Sequence, residues 1–243
     1  MDQPEMISRI IKEAVSSSLK KHRGQGSFVM SKGSVMDGPK FSSLVTTAQK
    51  FFVGMGWDFY SEHGLPLKVA LVFLTAHAQH VSTVSKGGET VNGAFHTGDG
   101  TLSAGVFLDF EALPMEVSMA FLCAHVEEED FSAVQQPHCT VIDASGREIL
   151  RYALPEDKKT STGLIMLRIF WNEFHDRWTF QAMGNYCNGR SWSDSLEYMQ
   201  SLATVPPTSL QTLLIQDEDT IARGDHRSTT AASSSAQSVI MSL

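Results

Sequence analysis

This sequence predicts a mainly β fold: a two-layer antiparallel sandwich with an N-terminal amphipathic helix and short flanking helices. Three observations lead there. Short segments rich in β-branched and aromatic residues, bounded by turn residues, recur at 51–54, 69–75, 105–110, 117–125 and 139–142. Two further pairs of segments are joined by hairpin signals. Residues 164–171 are almost continuously apolar, broken only by Arg168, which is the pattern of a central strand covered on both faces.

Taken in order, the chain opens with a helical stripe. Ile7, Ile10, Ile11, Ala14, Val15 and Leu19 fall on one face of a helix over residues 4–21. Asp2 is placed to cap its start, Pro4 suits the first turn, and Lys20 and Lys21 suit the negative end of the dipole. Such a stripe must bury against its own domain, a partner or a second copy; a membrane surface is the remaining alternative, disfavoured because the polar face mixes Arg9, Lys12 and Glu13. Gly24 and Gly26 then break the pattern and strands begin. Asp143-Ala144-Ser145-Gly146 supplies an Asx-type turn joining 140–142 to 148–154, and residues 173–176 join 164–171 to 178–183. Apolar content falls after Met199, Pro206-Pro207 stops any helix, and 216–243 cannot bury enough surface to offset its ordering entropy. The expected organisation is therefore an N-terminal helix (1–27), a sandwich domain (28–200) and a C-terminal tail (201–243).

Composition narrows the function classes. The chain of 243 residues is 42% hydrophobic, enough for one proper core, and its 19 basic against 27 acidic residues give a net charge of −8. That balance disfavours phosphate backbones, so no nucleic-acid partner is expected. Cys123, Cys139 and Cys187 are odd in number, widely spaced and without a C-x-x-C pair, which fits a reducing compartment. The longest apolar run, 69–74, is far too short to span a bilayer, and the N-terminal residues lack the apolar core of a signal peptide. The expected location is the cytoplasm.

Two glycine-punctuated segments, VGMGWD (53–58) and HTGDG (96–100), each end near a carboxylate. Glycine permits positive φ and close backbone approach, so carbonyls and a carboxylate can converge on a hard cation; a turn after a strand is the alternative reading. Read in order with MSKGS (30–34), LPLKVALVFLTAHAQ (65–79), DASGREILRYALPED (143–157) and RWTFQAMG (177–184), they make the chain resemble the TerD family up to about Trp192. That family comprises tellurium-resistance and general stress proteins, with some eukaryotic relatives described as cyclic-nucleotide-binding. The resemblance implies the same sandwich, and Ca²⁺ held by carboxylates on loops at one end. Asp58 and Asp99 match two of the family's acidic positions. Where the family has an acidic F-D-L-D run this chain has Leu65-Pro66-Leu67-Lys68, and the acidic G-D-D-E cluster after the H-T-G-D segment is replaced by 101–105. A weak or lost Ca²⁺ site, with Asp58 and Asp99 as its metal candidates, is the expectation.

Other constellations carry less. His77-x-x-His80 lacks two further zinc ligands. Glu127-Glu128-Glu129-Asp130 reads as a solvated loop face. Cys139 follows His138, but neighbours on a strand point to opposite faces. With no nucleophile elbow, P-loop, dinucleotide fingerprint or H-E-x-x-H motif, no enzyme is expected. The functional expectation is a stress-response or binding module with a degenerate Ca²⁺ site. The alternatives are an assembly subunit docking through residues 4–21 and the tail, or a binder of small ligands such as a cyclic nucleotide.

Overall fold

The computed structural model describes residues 28–38, 49–59, 67–88, 91–99, 103–154 and 160–207. The expected helix over 4–21 and the tail over 216–243 lie outside them. The described strands are β1 (Phe28–Met30), β2 (Val35–Asp37), β3 (Lys50–Phe59), β4 (Leu67–Leu74), β5 (His80–Ser85), β6 (Ala94–Asp99), β7 (Ser103–Asp109), β8 (Met119–Val126), β9 (Val134–Asp143), β10 (Glu148–Ala153), β11 (Gly163–Asn172) and β12 (Arg177–Cys187). They form two six-stranded sheets, sheet A in the order β1-β10-β9-β3-β7-β6 and sheet B in the order β2-β12-β11-β8-β4-β5. One helix, α1 (Leu196–Thr204), follows. Among the described residues no helix is long and apolar enough to cross a membrane.

The mainly β sandwich predicted from sequence is the fold observed, with one departure from antiparallel pairing. β1 runs parallel to β10. The turn at 31–34 carries the chain straight from β1 in one sheet to β2 in the other, so β1 lies against its neighbour without a hairpin to reverse it. The two predicted hairpins are present. Asp143 Oδ1 accepts from the backbone N–H groups of Ser145 and Arg147 (3.0 Å each), and Gly146 takes φ +82° as its N–H closes the turn on Asp143. β11 and β12 pair from Asn172↔Arg177 to Gly163↔Cys187.

Two apolar layers result. The larger lies between the sheets, built from the inward residues of β3, β4, β7, β8, β9, β10, β11 and β12 with Trp57, Phe73 and Phe180 among its largest members. The smaller lies on the outer side of sheet B, where Val72, Phe121, Ile165 and Phe170 meet Met199, Leu196 and Leu202 of α1. Every residue of β8 is buried, which explains the apolar continuity of its sequence.

Both ends of α1 are tied to sheet B by polar groups. At its start Ser195 makes no side-chain cap; its hydroxyl instead bonds the buried His125 Nε2 at 2.9 Å, with the Cys187 thiol at 3.3 Å. At its finish the buried Arg168 donates to the carbonyls of Ala203 (3.1 Å) and Val205 (2.9 Å), and its guanidinium stands 5.1 Å from the Phe170 ring centre. Burial lowers the Arg168 pKa to about 10, so the charge persists at neutral pH and meets the negative end of the helix dipole.

The glycines of VGMGWD do not make a turn. Gly54 and Gly56 lie inside β3, in the ladder opposite Gly105 and Ser103, and neither takes a positive φ. What excludes a side chain there is aromatic: a Cβ on Gly54 would meet the Phe52 ring at 2.5 Å, and one on Gly56 the His138 ring at 2.6 Å. Gly105 is tighter, because its Cβ would meet the backbone oxygen of Val53 at 2.7 Å as well as Phe52. A ring can swing and a backbone carbonyl in a ladder cannot. Gly105→Ala is therefore expected to cost about 2 to 3 kcal/mol and Gly54→Ala about 1 kcal/mol or less, within the usual range for overpacking. Urea unfolding of both variants checks the order, and equal costs would remove the backbone argument.

His125 generates a pH prediction. Burial pushes its pKa down to about 4, opposed by the nearby charge of Asp194, whereas an ordinary histidine titrates near 6.5. Between those values the unfolded chain binds the extra proton, so this contribution is complete above about pH 6.5 and is lost as pH falls toward 4. The loss is at most about 3 kcal/mol. Unfolding midpoints measured at pH 7.5 and pH 5 should separate in the unmodified protein and draw together in His125→Gln.

Candidate functional site: the inter-sheet loop end

At one end of the sandwich β3, β8 and β10 finish and β4, β9 and β11 begin, so three of the crossings between sheets fall there. The backbone register places both predicted metal candidates there. Asp99 of β6 pairs with Ala104 of β7, which pairs with Met55 of β3, and Asp58 lies three residues further along β3. The two positions are thus two strands apart, roughly 10 Å across the sheet, and offset by three residues, about another 10 Å, along it. Their side chains, and the adjoining stretches 60–66 and 100–102, lie outside the described residues.

His96 ties this end together. Gly98 takes φ +91°, which turns its N–H onto His96 Nδ1 at 2.9 Å and creates the irregularity between His96 and Asp99. With Nδ1 accepting, the ring proton sits on Nε2 and is donated to the carbonyl of Val69 in β4, 3.2 Å away. In this way the HTGDG segment of sheet A is fixed beside the start of β4 in sheet B. Sequence reading took Asp99 as the informative residue of that motif and missed the role of its histidine; the glycine two positions on was the available signal.

Next to Val69, Lys68 points outward and its Nζ lies 2.9 Å from Glu127 Oε1, with the two side chains 55% and 60% exposed. Lysine thus stands at the mouth of β4 where the resemblance places acid. Glu128 and Glu129 are exposed, as expected for a solvated run, and Arg190 Nη1 donates to the backbone carbonyls of Glu127 and Glu129. Two further carboxylates are already satisfied. Asp130 caps the 3-10 turn at Phe131–Ala133 and is held below the usual carboxylate range by the hydroxyl and N–H of Ser132. Asp194 accepts from the N–H groups of Arg190 (2.9 Å) and Ser191 (3.0 Å), and these bonds likewise lower its pKa.

Calcium requires six to eight oxygens. Among the described residues no three His, Cys, Asp or Glu side chains stand together as a metal group. The carboxylates described at this end are engaged by a lysine, by backbone N–H groups or by serine, or point to water. The described donor set alone does not fit a tight calcium site.

The remaining sequence candidates separate. His80 stacks on Trp192 at 5.3 Å and contacts Thr83, while the N–H of His77 bonds Thr75 within its own turn. Cys139 lies in the core, where burial raises its pKa to about 12, with His138 on the other face of β9 over Gly56. The buried Ser195–His125 pair, unpredicted from sequence, has the spacing of a nucleophile and its base. Both side chains are sealed beneath the start of α1, where they serve as its anchor.

A family model for the TerD domain matches residues 28–190. The tellurium resistance protein TerZ of Serratia marcescens is 26% identical over 161 residues, which cover 58% of this chain and 82% of that protein. Among solved structures, a homologue of telluride resistance protein (TerD) from Streptomyces coelicolor A3(2) is 11% identical with a TM-score of 0.49, covering 65% of this chain and 99% of its own. A protein of unknown function is 15% identical with a TM-score of 0.47, covering 63% of this chain and 96% of its own. Since the family model spans well over half of the sequence, from β1 to just beyond β12, this chain belongs to the TerD domain family.

Proposed function

We propose that this protein is a non-enzymatic binding module of its family, acting in a cytoplasmic stress response, whose calcium-binding end is weakened. The observation that carries the reading is the Lys68–Glu127 ion pair at the mouth of β4. An ammonium group in place of a carboxylate changes the local charge by two units and takes up one of the remaining acids. At about 5 Å and an effective dielectric near 20 each unit is worth roughly 3 kcal/mol against a unit charge, and screening at an exposed rim cuts this to about 1 kcal/mol. Asp58 and Asp99 would supply the carboxylates that remain. A second reading, in which residues 4–21 recruit a partner, draws support from the apolar stripe of that segment.

Calorimetric titration with Ca²⁺ tests the first reading. The unmodified chain should bind weakly, with a dissociation constant on the order of 10⁻⁴ to 10⁻³ M. Lys68→Asp should tighten binding by about tenfold, the equivalent of roughly 1.4 kcal/mol, and adding Asp58→Asn to that variant should reverse the gain. Unchanged affinity in Lys68→Asp would show that the lysine does not govern the site.

A further inference from the structure

Two Asn-Gly pairs stand in this chain, Asn92-Gly93 and Asn188-Gly189, and the fold treats them differently. Such a pair is chemically labile because glycine has no Cβ to screen its nitrogen from the side-chain amide of the asparagine before it. Both asparagines are exposed, so neither side chain is held away from its neighbour by packing. The difference lies in the nitrogen that attacks. Gly189 donates its N–H to Thr162 Oγ1 at 3.0 Å, and the next N–H, that of Arg190, is held by Asp194 Oδ2 at 2.9 Å. Asn92 and Gly93 instead form the centre of the turn that leads into β6, closed by the Ala94 N–H on the Val91 carbonyl at 3.0 Å. Gly93 takes φ +76°, the left-handed conformation that glycine supplies to tight turns. The clamp on Gly93 falls on its carbonyl, which accepts from the N–H of Asp109 at 2.7 Å, while its own N–H donates to no described group.

We infer that Asn92 is a site of spontaneous deamidation in the folded protein and that Asn188 is protected from it. Hydroxide removes the Gly93 amide proton, and the nitrogen attacks Asn92 Cγ to form the new N–C bond of a cyclic imide. The Cγ–Nδ2 bond breaks, and the leaving nitrogen takes a proton from water, which returns the hydroxide, and departs as ammonia. A water molecule then adds to one of the two imide carbonyls and opens the ring, leaving an aspartate or an isoaspartate at position 92. Water is the sole co-reactant, and each conversion adds one negative charge to the turn. At Asn188 the same attack first requires the Gly189–Thr162 bond to break. Loss of one such bond slows a step by roughly tenfold, the equivalent of about 1.4 kcal/mol. The two dipeptides are identical in sequence, so the ranking between them comes from the fold.

Incubating the folded full chain at mildly alkaline pH, followed by peptide mapping under acid conditions, reads both positions in one sample. A parallel incubation in urea gives the rates without the fold. In the folded protein position 92 should convert roughly tenfold or more faster than position 188, as expected for one hydrogen bond at the attacking nitrogen. In urea the two rates should draw together. Thr162→Val removes the acceptor and should raise conversion at 188 by roughly tenfold, with position 92 in the same sample reporting that the fold is intact. Thr162→Ser keeps the hydroxyl and should leave 188 slow. Conversion at 188 as fast as at 92 in the folded chain would overturn the inference. So would an unconverted position 92 once the urea sample is fully converted, or an unmoved rate at 188 in Thr162→Val.

Discussion

Sheet B is apolar on both faces, and the architecture follows from having to keep both away from water. β8, nearly all of β4 and most of β11 have no side for solvent. Sheet A covers the inner face; the outer face carries Ala70, Val72, Phe121, Cys123 and Ile165, and burying each of the larger ones contributes on the order of 1.5 to 3 kcal/mol before entropy is counted. α1 and Trp192 form that second cover. The helix is thus a structural layer of the domain, and the single charge on β11, Arg168, is placed where it can use the helix's terminal carbonyls in place of a carboxylate.

Much of this was legible in the sequence, for identifiable reasons. Period-two patterns and turn chemistry mark the hairpins because Asp143 and Gly146 act locally, within five residues. The near-unbroken apolar run of β11 announced burial on both faces. Other features depend on partners far away in sequence. Gly54 and Gly56 look like turn residues in isolation, and only the rings of Phe52 and His138 reveal why no Cβ fits in a straight strand. Ser195 looks like an ordinary helix cap until β8 presents His125, 70 residues earlier in the chain. The backbone register sets Asp58 and Asp99 at one end of sheet A, a placement that depends on pairing across β7 and not on either local sequence.

The loop end is held together by contacts between protein groups alone. His96 joins β6 to β4 through one hydrogen bond to the Val69 carbonyl, its ring held by a second from Gly98 within β6. Asp130 and Asp194 each organise their own loop through local donors. The Lys68–Glu127 pair sets the electrostatics of the rim without being one of these supports, since it is exposed and contributes little to folding.

The two attachments of α1 have a mechanical consequence. Any tension transmitted from residues beyond Pro207 reaches the domain first at Val205 and Ala203, whose carbonyls are held by one guanidinium rooted in β11, an interior strand of sheet B. The load passes into β11 and its ladders on either side, and the bonded pair at His125 and Ser195 lies a full helix length behind. A pull on the C-terminal segment is therefore borne by the centre of the sheet, and the sandwich is shielded from peeling at its edges.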